Sequence, residues 1–351
     1  MNKIHKFFKV IIMFYYAKRL TTIFMMLLSI STNITAQQST KDIKWVDGDD
    51  FGKSAQIPYW FKDSFLEIEL DLEEALDEEK LLMLYFHQEG CPYCKATIEK
   101  NFSNPTTKDF IQENFDVVEI NIRGSRSITL PNGDVVDEKV FSKLMQIQYT
   151  PTILILDDNG LNEPLERMNG FRPLPVFQEA LLVVSGKDEE LGFTLESEPH
   201  LVKEIYFSEN FDLSTFTGEK PIAIFIEKRD CAICQQMHRE AFASKENYKA
   251  LNDWHVIQID IDEADQEIIL PNGISQKIGD FIEGRGVDFF PTIILYGLGE
   301  TEETFRMDSY LTNYGVRSTL QYIESGDYKS QPSLQRWADK TRVARRAARG
   351  D

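Results

Sequence analysis

Residues 81–94 read LLMLYFHQEGCPYC, and residues 221–234, 140 positions later, read PIAIFIEKRDCAIC. Each stretch is a continuous apolar run, followed by a few polar residues and a Cys-x-x-Cys pair. An apolar run of this length is typical of a strand that is buried on both faces of a sheet. The mixed segments that follow, residues 95–102 and 235–242, are helical in character. The pattern therefore predicts, twice, a buried strand and then a helix that begins at the cysteines.

Two further landmarks recur at the same spacing of 140 residues. Leu-Pro-Asn-Gly occupies residues 130–133 and again residues 270–273. Pro151 and Pro291 each precede a threonine and open an apolar run. Because three landmarks share one spacing, the chain contains an internal duplication.

The order of the predicted elements gives the fold class. Each copy reads strand, helix with the cysteine pair at its start, strand, helix, proline-led strand, hairpin strand and helix. Strands that alternate with helices pair in parallel, and the two adjacent strands at the end form an antiparallel hairpin. The prediction is an α/β chain of two tandem units, each a mixed central sheet with helices on both faces. The second strands are expected at 117–122 and 256–261, and the helices after them at 137–147 and 275–282.

Composition shifts divide the chain into five parts. These are a signal peptide (1–36), a first domain with an N-terminal extension (37–185), a linker (186–199), a second domain (200–328) and a basic C-terminal tail (329–351). We expect the tail to be a solvated helical segment, with a nucleic-acid or lipid contact as the alternative.

The N-terminus has the pattern of an export signal. Lys18 and Arg19 precede an apolar run at 20–30, and a polar segment then leads to Ala36 at a plausible cleavage point. The run is too short to span a bilayer of roughly 30 Å as a helix. We therefore expect a periplasmic protein, with an uncleaved membrane anchor or a start at Met13 as alternatives.

Charge and cysteine usage narrow the function classes. The formal net charge is −19, which repels phosphate backbones and makes nucleic acid an unsuitable partner. All four cysteines lie in the two pairs, which close almost no loop and so contribute little to stability. Their role is therefore expected to be chemical. A zinc site and purely structural disulfides are the alternatives, although zinc-binding pairs usually lie about 15–20 residues apart.

Cysteines on the first turn of a helix are suited to disulfide exchange. Unpaired amide N–H groups and the positive end of the helix dipole favour a thiolate there. Two intervening residues bring the second thiol close enough to release a mixed disulfide. No cofactor is needed for this chemistry, and none is expected.

Three stretches, residues 58–65 (PYWFKDSF), 85–94 (YFHQEGCPYC) and 149–152 (YTPT), resemble the thioredoxin superfamily. Within it, they are most similar to bacterial periplasmic thioredoxins associated with sulfur-oxidation gene clusters. The resemblance covers 57–184 strongly and 221–323 more loosely.

The resemblance implies a thioredoxin fold for both units and a role for each matched position. These positions are attacking cysteines Cys91 and Cys231, resolving cysteines Cys94 and Cys234, and substrate-seating loops with cis prolines at Thr150-Pro151 and Phe290-Pro291.

The sequence also departs from the thioredoxin pattern. Gly90 and Asp230, rather than tryptophan, precede the first cysteines, and Tyr85 and Phe225 fall in the region where many thioredoxins carry a buried acid. The dipeptide between Cys91 and Cys94 also matches glutaredoxins, but export argues against a glutathione role.

These observations predict an exported thiol–disulfide oxidoreductase, a reductase or relay rather than a primary oxidant. Its expected partners are cysteine-containing exported proteins and a membrane-embedded thiol electron donor. The alternative is a binding or adaptor protein with incidental thiols, in which residues 59–61 would contact partners instead of lying in the core. His87 and Glu227, each four residues before a first cysteine, either tune the thiols or are exposed strand-end residues; we expect the latter.

Overall fold

The computed structural model describes residues 44–46, 52–187, 191–192, 195–216 and 218–349, with side chains described up to residue 344. The predicted signal peptide, residues 1–36, lies outside the described residues. Both repeats fall within one compact unit. In the described part of the chain, no helix is both long enough and apolar enough to span a bilayer.

The first repeat has a four-stranded mixed sheet in the order β2-β1-β5-β6. Its elements are α1 (Ile68–Asp77), β1 (Leu81–His87), α2 (Pro92–Ala96), α3 (Pro105–Asn114), β2 (Phe115–Asn121), β3 (Ser127–Thr129), β4 (Val135–Asp137), α4 (Glu138–Leu144), β5 (Thr152–Leu156), β6 (Glu166–Asn169) and α5 (Leu174–Ser185). Strand β1 is parallel to β2 and antiparallel to β5, and β5 and β6 form the antiparallel hairpin. A π-helical turn, Thr97–Phe102, continues α2.

Strand β1 is apolar throughout because both of its faces are covered. Met83 and Tyr85 point into a core closed by the π-helical turn, α3 and α5. Leu82 and Leu84 point into a second core closed by α1 and α4. Alternating residues of one strand thus enter two cores, which requires an uninterrupted apolar sequence.

The second repeat has a five-stranded sheet in the order β13-β12-β8-β9-β7. Its elements are β7 (Phe207–Ser208), β8 (Ile222–Glu227), α6 (Ala232–Met237), a π-helical turn (His238–Phe242), α7 (Lys245–Asn252), β9 (His255–Asp260), β10 (Glu267–Ile269), β11 (Ser275–Lys277), α8 (Ile278–Glu283), β12 (Thr292–Tyr296), β13 (Phe305–Met307), α9 (Asn313–Glu324) and α10 (Leu334–Arg349). The pairing of β8 with β9 and β12 matches that of β1. The predicted fold class is confirmed for both repeats.

The sequence prediction missed one hairpin in each repeat. Strands β3 and β4, like β10 and β11, flank the Leu-Pro-Asn-Gly turns. The Asn132 and Asn272 side chains accept the amide two residues on, and Gly133 and Gly273 both have φ of +83°. Asn and Gly form a tight turn here, and the residues on either side of it pair as strands. The helix expected at 275–282 is therefore wrong at its start, because Ser275 lies in β11.

The two repeats meet through equivalent residues. Asn169 donates to Asp308 at 3.0 Å, and the rings of Phe171 and Tyr310 lie 6.1 Å apart. The Tyr310 amide also donates to the carbonyl of Phe171 at 3.1 Å. The members of each pair are 139 positions apart in the sequence. Contact between a surface and its own counterpart is the geometry of a two-fold symmetric dimer, here within one chain.

Arg172 makes three contacts across this interface. Its guanidinium donates to the carbonyl of Asp308 at 2.7 Å, lies 3.5 Å from the Asp288 carboxylate and stacks 4.2 Å above the ring of Phe289. The side chain is 5% exposed, so these contacts replace nearly all of its hydration. Arg172 therefore joins the first repeat to two segments of the second.

The C-terminal tail is packed rather than solvated at its start. Trp337 in α10 is 8% exposed, lies 5.4 Å from the ring of Tyr322 and donates to Asp327 at 2.6 Å. The expectation of a solvated tail is wrong for this part of the helix, because the aromatic residue provides an anchor that the basic composition does not indicate.

We expect Arg172→Ala to destabilise the contact between the repeats by about 2–4 kcal/mol, since it removes charge-assisted hydrogen bonds and a stacked aromatic contact. Denaturant unfolding followed by tryptophan fluorescence measures the loss. Arg317→Ala, which removes a surface contact to the carbonyl of Glu246, serves as the control and should cost about 0.5 kcal/mol or less. Equal effects of the two variants would contradict the role assigned to Arg172.

Candidate active site

Each cysteine pair lies at the N-terminus of a helix and forms a disulfide. The Cα atoms of Cys91 and Cys94 are 5.3 Å apart, and those of Cys231 and Cys234 are 5.2 Å apart. In each pair the amide of the second cysteine points at the sulfur of the first, at 3.0 Å. The first cysteine is thus the N-cap of its helix and receives one of the amides that the helix leaves unpaired.

The residue before each pair has a left-handed backbone. Gly90 has φ of +70° and Asp230 has φ of +54°. Glycine adopts this conformation without strain, and aspartate tolerates it better than most residues. The departure from tryptophan noted in the sequence therefore agrees with the local backbone.

A proline loop lies beside each pair. The Thr150–Pro151 and Phe290–Pro291 peptide bonds are both cis. The sulfur of Cys91 is 3.5 Å from the carbonyl oxygen of Thr150 and 3.4 Å from its hydroxyl oxygen. The sulfur of Cys231 is 3.8 Å from the carbonyl oxygen of Phe290, which has no hydroxyl to offer. The structure thus brings the four predicted cysteines and the two loops together as two separate sites.

The first disulfide opens into a cavity of about 210 Å³ whose far wall belongs to the second repeat and the tail helix. That wall is largely apolar and includes Phe305, Met307, Leu311, Tyr314, Leu334 and Ala338. On the tail helix, Gln335 donates to the Thr150 hydroxyl at 2.8 Å. Cys91 is consequently only 5% exposed.

Tyr93, between the first two cysteines, reaches into the second repeat. Its hydroxyl lies 3.0 Å from the Thr312 side-chain oxygen and accepts the Thr312 amide at 3.2 Å, at the start of α9. A Cβ atom on Gly315 would come within 2.7 Å of this hydroxyl, so glycine there permits the approach. Burial raises the pKa of Tyr93, which keeps the phenol neutral.

The second disulfide opens into a cavity of about 430 Å³ whose far wall belongs to the first repeat. The wall residues come from β6 and α5 and include Glu166, Met168, Pro175, Val176, Ala180 and Val183. Burial and the neighbouring Asp288 carboxyl raise the pKa of Glu166. The second site is therefore wider than the first and contains a close carboxyl pair.

Sequence reasoning missed that each site is completed by the opposite repeat. The isologous contact of 169–171 with 308–310 places each cysteine pair over the final strand and closing helix of its partner repeat. No sequence motif encodes a contact of this kind. The one available signal was the tail, which continues beyond the second repeat and contains Trp337.

His87 and Glu227, which occupy equivalent positions in the two repeats, each have bonded partners within their own repeat. His87 lies 2.6 Å from Glu119, and although burial alone would raise the pKa of Glu119, His87 and Arg126 lower it. Glu227 is fully buried and is bonded to His238 at 2.9 Å and to Gln258 at 2.6 Å. The expectation of exposed strand-end residues is wrong for Glu227, because its carboxyl hydrogen-bonds to a buried histidine and a buried amide, and the His87 side chain is only 14% exposed.

The position where thioredoxins often carry an acid differs between the repeats. The hydroxyl of Tyr85 donates to the carbonyl of Cys94 at 3.1 Å, and burial raises its pKa. Phe225 has no polar atom to offer at the equivalent place.

The residues 59–61 differ in exposure: Phe61 is buried in the core, whereas Tyr59 is 91% exposed. Among the described residues, no group of three or more His, Cys, Asp or Glu side chains is arranged to hold a metal ion.

Comparison with known proteins agrees with the two disulfide sites described above. A family model described as a thioredoxin-like domain matches residues 68–184 and 209–324, one match per repeat. No curated protein matches the chain.

Solved structures similar to parts of the chain include three bacterial proteins. A thioredoxin-fold protein from Helicobacter pylori is 22% identical, with a TM-score of 0.30, covering 41% of this chain and 83% of its own. A thioredoxin from Thermus thermophilus is 24% identical, with a TM-score of 0.27, covering 34% and 83%. The DsbD C-terminal domain of Neisseria meningitidis is 18% identical, with a TM-score of 0.25, covering 32% and 90%.

The family assignment depends on the two model matches, which together span more than half of the 351 residues. Each matched segment contains one Cys-x-x-Cys pair, closed as a disulfide at the start of a helix. The chain therefore belongs to the thioredoxin-like family and is a thiol–disulfide oxidoreductase with two such domains in tandem.

Proposed function

We propose that this protein is an exported reductase or relay, rather than a primary oxidant, that exchanges disulfides with cysteine-containing exported proteins. In this proposal Cys91 and Cys231 attack the substrate disulfide, and Cys94 and Cys234 release the mixed disulfide. The loops Thr150-Pro151 and Phe290-Pro291 seat the extended substrate chain.

The observation that carries this proposal is the environment of Cys91. Its sulfur lies at a helix N-terminus, 3.0 Å from the Cys94 amide and 3.4 Å from the Thr150 hydroxyl. Both groups are hydrogen-bond donors that favour a thiolate over a thiol. A stabilised thiolate next to a second thiol is what disulfide exchange requires.

The ion pairs made by the arginines near Cys91 support a reductase rather than an oxidant. Arg123 and Arg342 line the Cys91 cavity, but both are ion-paired with Asp339. Arg306 in the same cavity is bonded to Glu303. A strong oxidant owes its potential to a highly stabilised reduced form. Because Arg123 and Arg342 share one carboxylate and are about half exposed to screening solvent, and Arg306 is paired with Glu303, these cations add only modest stabilisation to the Cys91 thiolate, as in a reductase.

The positions of the cavities favour two sites that work independently. No residue lines both the Cys91 cavity and the Cys231 cavity within the described part of the chain. Each first cysteine faces the opposite repeat's last strand rather than the opposite cysteine. We therefore propose that any relay runs from an external thiol donor through one pair to a substrate, and that the two pairs do not pass electrons directly to each other.

The proposed cellular location and the proposed source of electrons rest on the sequence alone. Export to the periplasm is proposed from the N-terminal pattern of residues 1–36. A membrane-embedded thiol donor is the proposed source of reducing equivalents, because an exported reductase has no direct access to cytoplasmic electron donors.

The reduction potential of the first pair should lie near that of thioredoxin, about −270 mV. Equilibration of the Cys231→Ser/Cys234→Ser variant with glutathione buffers measures it, and the reciprocal variant gives the second pair. A value close to about −120 mV would reverse the proposed direction. A second pair that never exchanges would leave one working site.

Replacement of Cys91 and Cys94 by serine should leave the rate of reduction of the second pair within about twofold of the intact protein, as for uncoupled sites. Stopped-flow reduction by dithiothreitol provides the measurement. A much larger decrease would show that electrons reach the second pair through the first.

A Cys94→Ser variant that also lacks the second pair should accumulate mixed disulfides with its substrates on Cys91, because no resolving thiol remains. Non-reducing electrophoresis after incubation with an oxidised periplasmic extract detects them. The Cys91→Ser variant in the same background is the control: Cys91, and not Cys94, is the N-cap sulfur that receives a helix amide, so the Cys94 thiol that remains should capture far less.

The same variants test the adaptor alternative. An adaptor with incidental thiols would keep its partners after both first-pair cysteines are replaced by serine, and would form no mixed disulfides. An exchange enzyme loses both the covalent adducts and the activity.

A further inference from the structure

The tail helix α10 places a polar side chain one hydrogen bond away from the first active site. Gln335 Nε2 donates to Thr150 Oγ1 at 2.8 Å, and Thr150 Oγ1 in turn lies 3.4 Å from Cys91 Sγ. We propose that Gln335 is a positioning residue, which directs the Thr150 hydroxyl hydrogen onto the Cys91 sulfur and thereby stabilises the Cys91 thiolate.

The argument follows from the chemistry of a hydroxyl group. A threonine hydroxyl has one hydrogen and two lone pairs. When one lone pair accepts the Gln335 amide, the hydrogen is directed elsewhere, and the Cys91 sulfur is the neighbouring acceptor. Without Gln335 the hydroxyl rotates freely, and its contribution to the thiolate is averaged over orientations.

The direction of this hydroxyl matters because the same residue also opposes the thiolate. The Thr150 carbonyl oxygen lies 3.5 Å from the Cys91 sulfur. A carbonyl at this distance repels a thiolate and accepts a hydrogen bond from a thiol, so it favours the protonated form. A correctly oriented hydroxyl at 3.4 Å offsets that effect.

Contacts to both repeats hold α10 in place, so the Gln335 side chain has a fixed position. Trp337 anchors it to the second repeat through Asp327 at 2.6 Å. Asp339 pairs with Arg123 of the first repeat. A side chain that orients another must itself be held by its surroundings, and these contacts supply that support.

The second site provides a natural contrast. Phe290 occupies the place of Thr150 and presents only its carbonyl, 3.8 Å from the Cys231 sulfur. It has no hydroxyl that a residue such as Gln335 could orient. The tail therefore tunes one of the two cysteine pairs, and a change at Gln335 should leave the other unaffected.

The inference rests on the exchange function proposed for Cys91, but its test reads the thiolate and not turnover. Cys91 is made the sole cysteine by replacing the other three with serine, and its titration is followed by thiolate absorbance. Gln335→Met keeps the shape and removes the donor, and should raise the apparent pKa of Cys91 by about one unit.

Gln335→Glu is the second variant, and its expected effect is larger. A carboxylate accepts hydrogen bonds and cannot donate them, so it draws the Thr150 hydroxyl hydrogen away from the sulfur. It also adds a negative charge close to the thiolate. Because the added charge would raise the pKa even without positioning, the Gln335→Glu change is compared with the same change in the Thr150→Val background, where only the charge effect remains. The variant is nearly isosteric with glutamine, so this comparison is available if Gln335→Met fails to fold.

Two controls separate positioning from a general effect on structure. Gln331→Met changes a glutamine just before the same helix, one that bonds the Ser333 amide and not Thr150, and should leave the pKa of Cys91 unchanged. The Gln335→Met change in a chain with Cys231 as sole cysteine should leave that thiol unchanged.

A double-mutant cycle then tests the route. Thr150→Val removes the hydroxyl, and in that background Gln335→Met should produce no further rise in the pKa. An unchanged pKa in Gln335→Met, or a full additional rise from Gln335→Met in the Thr150→Val background, would overturn the inference. If Gln335→Met does not fold, an equal rise from Gln335→Glu with and without the Thr150 hydroxyl would overturn it. The proposed function fails on a different result, namely the inability of the intact Cys91–Cys94 pair to exchange with a glutathione buffer.

Discussion

The contact between residues 169–171 and 308–310 determines how both active sites are built. These segments follow the last strand of each repeat, and they pack against their own counterparts. A two-fold arrangement applies to every feature of the repeat at once, so each cysteine pair is brought over the closing elements of the other. The enclosure of both disulfides therefore follows from one interface and not from two separately evolved covers.

The enclosure has consequences for the substrates that reach the first pair. The loop at Thr150-Pro151, where a substrate chain would lie, is already occupied on one side by Gln335. An extended polypeptide at that loop has to displace the start of α10 or enter beside it through a cavity of about 210 Å³. For a substrate seated as proposed, selectivity at the first site would depend on residues of the second repeat and the tail, although the reacting sulfurs belong to the first.

Much of this architecture could be predicted from sequence, because its signals are local. A continuous apolar run predicted β1 and β8, and the mixed segment after each cysteine pair predicted a helix that begins at the cysteines. The hairpins around Leu-Pro-Asn-Gly were missed, since their strands are only three residues long and have no clear alternation. Contacts between distant residues could not be predicted at all. Glu227 is buried because it bonds to His238, and nothing in the sequence shows that these two residues are neighbours.

The duplication preserved the backbone of the site while the chemistry of the two copies diverged. Both first cysteines cap a helix and receive the same amide at the same distance. Around that shared geometry, Thr150 is matched by Phe290, and the buried phenol of Tyr85 by the ring of Phe225. A polar group within hydrogen-bond distance of a sulfur, such as the Thr150 hydroxyl, changes the balance between thiol and thiolate, whereas an apolar group changes mainly its solvation. Two domains with one fold are therefore expected to exchange disulfides at different potentials, because a fold positions the sulfurs and the side chains beside them set the energy.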